Sequence, residues 1–540
     1  MNSPAKILFI VLFSIPLCLD GICQSTDQSD NLPQDYLSPE FHAGRRQALR
    51  ELMPANSVMV IFAYPEEVFS NDVNYPYHQN PDLYYFSGYN EPNAVLLIFR
   101  EMQDSGDSSY NELFFVQKRN PRRESVTGKR LGVEGVKAQL GFKRVYTNDE
   151  FSKFPIDFKK FTLLYDSWPD ASGAPINGSL PFLMNNFMER AGIKPRDKVL
   201  AQDLDEIYKY GSPENIDLIM TYLIKANLDN KGYMNDPLIR ELYAHPDSAT
   251  LIDVKNKYRV NQNGILQFNQ CTNALRGIKT PEELVLLKKS VEISSIAHKE
   301  AMRAVKPTMS ERELEGIMLY VHKKYGSETE GYPPIVGAGA NSCILHYEEN
   351  NVMQVKNQLV LMDVGSMYHG YSADITRTFP ANGKFTEEQK VIYNLVYDAQ
   401  EAAFKLCRPG ISFDSLEKKT AEVLAAGLIR LGIIKEPKEV KTYYPHGMSH
   451  HLGLDTHDNG VTTILQENMV ITVEPGIYIV EGSACDKKWW NIGVRIEDDV
   501  LITKNGAIVW SQDAPRRWDE VEKTIAEKSV FDGVNFPVLK

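Results

Sequence analysis

The chain has 540 residues, and 59 basic against 71 acidic side chains give a net charge of −12. Its 43% hydrophobic, 24% charged and 10% aromatic residues make an ordinary globular composition. At ~150 residues per domain the length predicts several domains, and an acidic balance with no Lys/Arg block excludes nucleic acid and anionic lipid as main partners.

The first segment, residues 1–23, reads as a secretory signal peptide. Met1–Lys6 carries one positive charge, Ile7–Leu17 is apolar apart from Ser14 and Pro16, and Gly21-Ile22-Cys23 offers a cleavage site before Gln24. At 1.5 Å per residue the apolar run spans about half of a roughly 30 Å hydrocarbon core, so no stable membrane span is expected. Lipid modification of Cys18 or Cys23 is disfavoured by the bulky Leu17 and Ile22 before them. The expectation is an exported protein, periplasmic or secreted. Cys271, Cys343, Cys407 and Cys485 are far apart with no CxxC, which argues against a disulfide framework or a thiolate zinc site.

From 24 to 162 strands and helices alternate: Phe41–Met53 has helical spacing, while Ser57–Ala63, Ala94–Phe99 and Leu113–Gln117 carry the strand signal. This predicts a small N-terminal α/β domain. Between 163 and 274 turn signals at Ser172-Gly173, Asn177-Gly178 and Gly211-Ser212-Pro213 interrupt helical stretches, which predicts an inserted or linking region. A further domain, 275–540, opens with Thr280-Pro281-Glu282-Glu283, a capping box at the head of a long helix to about Val305.

The chemistry gathers in that last domain. Gln358–Met362 is an apolar strand ending in Asp363, and Tyr371–Phe379 carries Asp374, eleven residues on. A hairpin turn centred on Tyr368 and His369 sets the two carboxylates opposite each other, where they repel unless a cation sits between them. Four of the 11 histidines lie in His446–His457. The 446-to-450 spacing resembles a helical metal pair, but Gly447 breaks any HExxH pattern, so a loop or strand-edge site is expected. Met469–Val473 is a strand running into Glu474-Pro475-Gly476. Along Gly493–Val500, Val494 and Ile496 share one face while Arg495 and Glu497 share the other, which lets Arg495 orient Glu497. Asp, Asp, His, Glu and Glu at strand ends form a hard, oxygen-rich set that suits two divalent ions, Mn²⁺ above a thiolate-seeking metal.

The wording DITRTFP, HGMSHHLGLDTHD, VEPGIYI and VRIEDD, with Gly337–Tyr347 (GAGANSCILHY), resembles the pita-bread metallopeptidase superfamily and, within it, aminopeptidase P. Phe41–Phe99, including Tyr85-Phe86-Ser87-Gly88-Tyr89-Asn90-Glu91-Pro92, resembles that family's N-terminal domain. The resemblance implies an α/β (α+β) chain whose N-terminal α/β domain precedes a C-terminal pita-bread catalytic domain. It implies Asp363, Asp374, His450, Glu474 and Glu497 as metal ligands, with Asp374 and Glu497 bridging. It implies His346, His446 and His457 as catalytic histidines that bind no metal, Glu474 as the proton carrier, Arg495 behind the ligands, and Tyr478 beside the second carboxylate strand. A hydroxide bridging two metal ions would then attack the first peptide bond of substrates with proline second. His451 stands where the pattern usually has an aromatic, a change expected to tune the pocket. Family members often form oligomers, so a homo-oligomer is an open expectation.

Prolidase shares the five ligands but takes only dipeptides, and the HGMSH and YFSGYNEP wording favours aminopeptidase P over it. Methionine aminopeptidase usually lacks the large N-terminal domain. A non-catalytic peptide-binding relative would have lost ligands that are all present here. No GxSxG supports a serine peptidase, and Gly337-Ala338-Gly339 lacks the third glycine of a dinucleotide site.

Overall fold

The structure, a computed structural model, describes residues 35–104, 109–166, 173–194, 198–229, 233–460 and 462–534. The expected signal segment lies outside them. Strand Ser57–Phe62 is buried at every position, as the unbroken apolar run from Val58 to Phe62 requires of a strand covered on both faces. It runs antiparallel to Val95–Asp104 and parallel to Thr162–Tyr165, inside a five-stranded sheet completed by Ser109–Val116 and Val145–Thr147. Because side chains alternate along a strand, Met59 and Ile61 pack with Leu49 of helix Pro39–Leu52. Val58, Val60 and Phe62 face the other way, onto Leu183 and Phe187 of helix Leu180–Ala191.

The region from 163 to 274 therefore does several things. Thr162–Tyr165 and Leu180–Ala191 complete the first sheet and its cover. Helices Lys198–Tyr210, Ile216–Asp229, Pro237–Ala244 and Ser248–Asn261 form a bundle around its own core, which includes Leu204, Leu223, Leu242 and Val254. Helix Asn263–Arg276 returns to the first sheet, where Phe268 and Cys271 share a cluster with Leu49.

The capping box forms as read: Thr280 accepts from the Glu283 N–H, Glu283 accepts from the Thr280 N–H, and helix Pro281–Ala304 follows. Helices Glu311–Lys324, Glu387–Phe404 and Phe413–Arg430 join it around small sheets of two and three strands. Ala297, Met318, Val360, Met362, Val396, Leu424, Ile471 and Val494 form part of one continuous core there. The two halves also share apolar contacts, since Leu286, Tyr371 and Leu452 belong to the same cluster as Leu83 and Phe86. No helix of the described residues is long and apolar enough to cross a membrane. Cys271, Cys343, Cys407 and Cys485 are all free.

Candidate metal centre and active site

Strand Leu359–Asp363 pairs with Thr376–Pro380 so that Asp363 faces Thr376, and Tyr368 faces Tyr371 beyond it. The turn is thus centred on His369 and Gly370, both at positive φ, one residue later than expected from the sequence. Positive φ at two central residues is what a tight hairpin needs, and glycine supplies the second at no steric cost. Asp374 consequently lies diagonal to Asp363. It also sits in a break of its strand, because its N–H bonds to the Asp499 carboxylate (3.0 Å) in place of a ladder partner. Their carboxylates still converge: ligand atoms of Asp363, Asp374 and Glu497 lie within 4.8 Å of one another.

The run read as Gly493–Val500 is likewise broken, into Ile492–Arg495 and Asp498–Thr503, with Glu497 in the gap. Residues just after Asp374 hold it there. The Glu497 N–H donates to the Thr376 carbonyl (3.1 Å), its carboxylate accepts from the Thr376 hydroxyl (2.6 Å), and its carbonyl accepts from the Arg377 guanidinium (2.5 Å). Arg377, fully buried, also pairs with Asp498 at 2.6 Å. One short sequence, Asp374-Ile375-Thr376-Arg377, thereby supplies one candidate ligand and the supports of another.

Arg495 and Glu497 form the expected pair, but at the long distance of 4.0 Å. The Arg495 guanidinium grips Asp363 at 2.6 Å and bonds to the Thr376 hydroxyl at 3.0 Å, so Thr376 passes the contact on to Glu497. The physical reason is the break in the strand: it ends at Arg495, so Glu497 no longer follows its alternation and is held by Thr376 instead.

His446–His457 is irregular loop, not helix. His450 donates from Nδ1 to the His451 carbonyl (3.0 Å), which leaves Nε2 facing Asp374 (3.4 Å) and Glu474 (3.5 Å), the tautomer a metal-binding imidazole needs. His446 donates from Nδ1 to the Gly447 carbonyl (2.7 Å) and accepts at Nε2 from the Tyr478 hydroxyl (2.9 Å), which also accepts from Arg495 (2.9 Å). The His457 ring lies edge-on to His450, centroids 4.3 Å apart, and within ligand range of Asp374. His346 is exposed. His451 points away from the cluster, against Phe413 (centroids 5.2 Å), because neighbouring side chains in extended chain face opposite ways. Its effect on the pocket is therefore indirect.

Sequence reasoning missed Tyr332. Its hydroxyl lies 2.5 Å from Asp363 and 2.7 Å from Asp374, yet it has one proton to give. No periodicity marks a tyrosine in the irregular Gly331-Tyr332-Pro333-Pro334 segment.

These groups fit a pair of cations. Burial pushes the Asp374 and Glu497 carboxyls up, and the neighbouring carboxylates add to the shift. Burial also pushes Glu474 up to about 7, against the partial relief of His450. Burial would lower His450, but its hydrogen bond to Asp374 and the charge of Glu474 outweigh that and raise it to about 9. A buried acid cluster that holds protons for want of counter-charge is what divalent ions neutralise. Three overlapping donor groups supply the places: Asp363, Asp374 and Glu497; His450, Glu474 and Glu497; and Asp374, His450 and His457.

Two family models match the chain: the aminopeptidase P N-terminal domain over residues 42–160, and metallopeptidase family M24 over residues 285–504. The Xaa-Pro aminopeptidase of Escherichia coli (strain K12) is 33% identical over 492 residues, covering 88% of this chain and 96% of that protein. Human Xaa-Pro aminopeptidase 3 is 28% identical over 512 residues, covering 91% and 87%. Among solved structures, zinc-substituted E. coli aminopeptidase P in complex with product superposes with a TM-score of 0.68 at 30% identity, over 91% of this chain and 98% of that one. Proline aminopeptidase P II from Yersinia pestis gives 0.68 at 28%, over 91% and 100%. A paired-carboxylate cluster on M24 architecture, behind a matching N-terminal domain and with relatives aligned over nearly their whole length, is a metallo-aminopeptidase: this chain belongs to the Xaa-Pro aminopeptidase family.

Proposed function

We propose that the chain releases the N-terminal residue from peptides with proline in second position, using two divalent ions, Mn²⁺ by preference, held by Asp363, Asp374, His450, Glu474 and Glu497. The convergence of those donors within ligand distance carries the reading. The donors are mostly carboxylate oxygens with a single imidazole, a hard set that suits Mn²⁺. When bound, the ions supply a water acidic enough to act as nucleophile near neutral pH.

The protein's own groups do the rest. Glu474, whose carboxylate lies 3.5 Å from both His446 and His450, is placed to take a proton from the nucleophile and return it to the leaving prolyl nitrogen. Asp363, fixed by Arg495, receives the substrate's free amine, which limits cleavage to the first bond. His457 and His346 donate to the oxygen that gains charge, and His446, fixed by Tyr478, lines the pocket. Proline has no N–H and a fixed φ of about −65°, so a site that grips the amine and the carbonyl accepts it where one that grips extended backbone does not.

Chelator-stripped protein resupplied with single metals tests this. Xaa-Pro-Xaa tripeptides should be cut fastest with Mn²⁺, the same peptides with alanine second far more slowly, and N-acetylated peptides not at all. Turnover of Xaa-Pro dipeptides alone would make the chain a prolidase, and equal rates for proline and alanine would refute the pocket argument.

A further inference from the structure

His457 is exposed, and among the described residues its ring has no hydrogen bond to protein; it lies edge-on to His450 and within ligand range of Asp374. A ring without bonds of its own is placed by its backbone, and both neighbours are anchored. The Thr456 hydroxyl donates to the Gly331 carbonyl at 3.2 Å, one residue before Tyr332. On the other side Asp458, its side chain 1% exposed, accepts from Arg276 (2.5 Å) and Lys279 (3.1 Å). Arg276 is itself 2% exposed and makes two further ion pairs, with Asp455 at 2.6 Å and with Asp82 at 3.1 Å. Burial works to raise the Asp458 carboxyl, but Arg276 and Lys279 overcome it and hold it below its ordinary range. Gly453 shows how tightly the loop closes on this cluster, since a Cβ there would lie 2.0 Å from the Asp458 carboxylate. The Gly453 carbonyl in turn accepts from the Ser372 N–H (2.8 Å), two residues before Asp374.

We propose that Arg276 is a positioning residue for His457: it holds Asp455 and Asp458 on either side of the histidine and ties that loop, through Asp82, to the N-terminal domain. Asp82 lies in the first turn of helix Pro81–Ser87, on the far side of the domain boundary from the ligands. Arg276 touches neither substrate nor cation. Its fork reaches three carboxylates on two segments, a geometry that the point charge of lysine does not reproduce. This inference rests on the role proposed above for His457.

The test is a double-mutant cycle in the full-length protein, with tripeptide turnover, bound metal and unfolding midpoint measured for each variant. Arg276→Gln should lower kcat about tenfold to a hundredfold, the cost of moving a reacting partner by about an ångström. KM and the number of bound ions should stay at the parent values. Arg276→Lys should recover part of the rate, and Asp82→Asn, which removes one arm only, should give a smaller loss. In a His457→Ala background the Arg276 substitutions should cost little further, because the group they position is gone. An undiminished penalty in that background, or a loss of metal, assigns Arg276 a general structural role and overturns the proposal. If Arg276→Gln does not fold, Arg276→Lys and Asp82→Asn complete the same cycle. If the parent cuts no Xaa-Pro peptide the functional reading fails; if it does, and His457→Ala is slow while the Arg276 and Asp82 variants are not, this proposal alone fails.

Discussion

Gly365 sits where the chain between the two aspartates crosses itself, and Gly365→Ala should disable the site. A Cβ on Gly365 would lie 1.8 Å from the Ala373 carbonyl oxygen and 2.6 Å from its carbon. Non-bonded carbon and oxygen rest at about 3.3 Å or more, so the two segments must part by roughly 1.5 Å. The Ala373 N–H bond to Ser366 (2.9 Å) and the Val364 N–H bond to Ile375 (3.2 Å) flank that contact and give way first. At about 1 kcal/mol for each net backbone bond, stability should fall by about 2 kcal/mol. The larger effect is on chemistry, because Asp374 follows Ala373 directly and Asp363 precedes Gly365 by two residues. Misplacement of about 1 Å costs on the order of a hundredfold in rate, so turnover should fall at least that far, with fewer than two ions retained. Metal analysis after dialysis, tripeptide turnover and denaturant unfolding read the three effects. A variant that keeps two ions and turns over within about threefold of the parent refutes the reasoning.

His450→Ala should lose bound metal, whereas His457→Ala should keep it and lose on the order of 10²–10³ in rate as an oxyanion donor goes; metal loss in the second would make His457 a ligand. Arg377→Met should destabilise the fold by about 2–3 kcal/mol in chemical unfolding, since buried Asp498 loses its close ion pair and keeps Gln400, Ser511 and, at 4.0 Å, Arg516, and a loss under about 1 kcal/mol would contradict this. Burial lowers His42 to about 4 and His298 to about 3 from an ordinary 6.5. The shift has no effect above about pH 6.5, where the ring is neutral folded and unfolded, and below it stability falls by about 1.4 kcal/mol per pH unit for each histidine until the folded pKa is reached. A pH titration of the unfolding midpoint should show the slope, and His42→Gln should flatten it; an unchanged slope in that variant would remove His42 from the account. Export predicts that mature protein begins near Gln24, and secreted material that retains Met1 would refute the signal-peptide reading.

Local chemistry was readable from the sequence; pairing between distant segments was not. Thr280 and Glu283 form their capping box because everything they need lies within four residues. Candidate ligands Asp363 and Glu474 were likewise visible, since each closes a short apolar strand. The strand Thr162–Tyr165 is cut by the boundary expected at 162/163, because its partner, Ser57–Phe62, is about a hundred residues away and nothing local reports that parallel pairing. The hairpin was misplaced by one residue because alternation is the same in either register, and only the positive φ of His369 and Gly370 decides between them. Tyr332, Thr376 and Arg377 escaped for a related reason. Their roles depend on which carboxylates the fold carries to them, and a tyrosine, a threonine and an arginine in a strand-rich segment have many ordinary uses.

The helical bundle of Lys198–Asn261 keeps its own apolar core, while the first sheet and the catalytic half share one. Two blocks with a common core melt together, but a segment with a private core opens alone at lower free energy. Amide hydrogens of the bundle should therefore exchange with solvent water sooner than those of Ser57–Phe62 or Leu359–Asp363, and limited proteolysis should nick the chain there while the metal cluster stays intact.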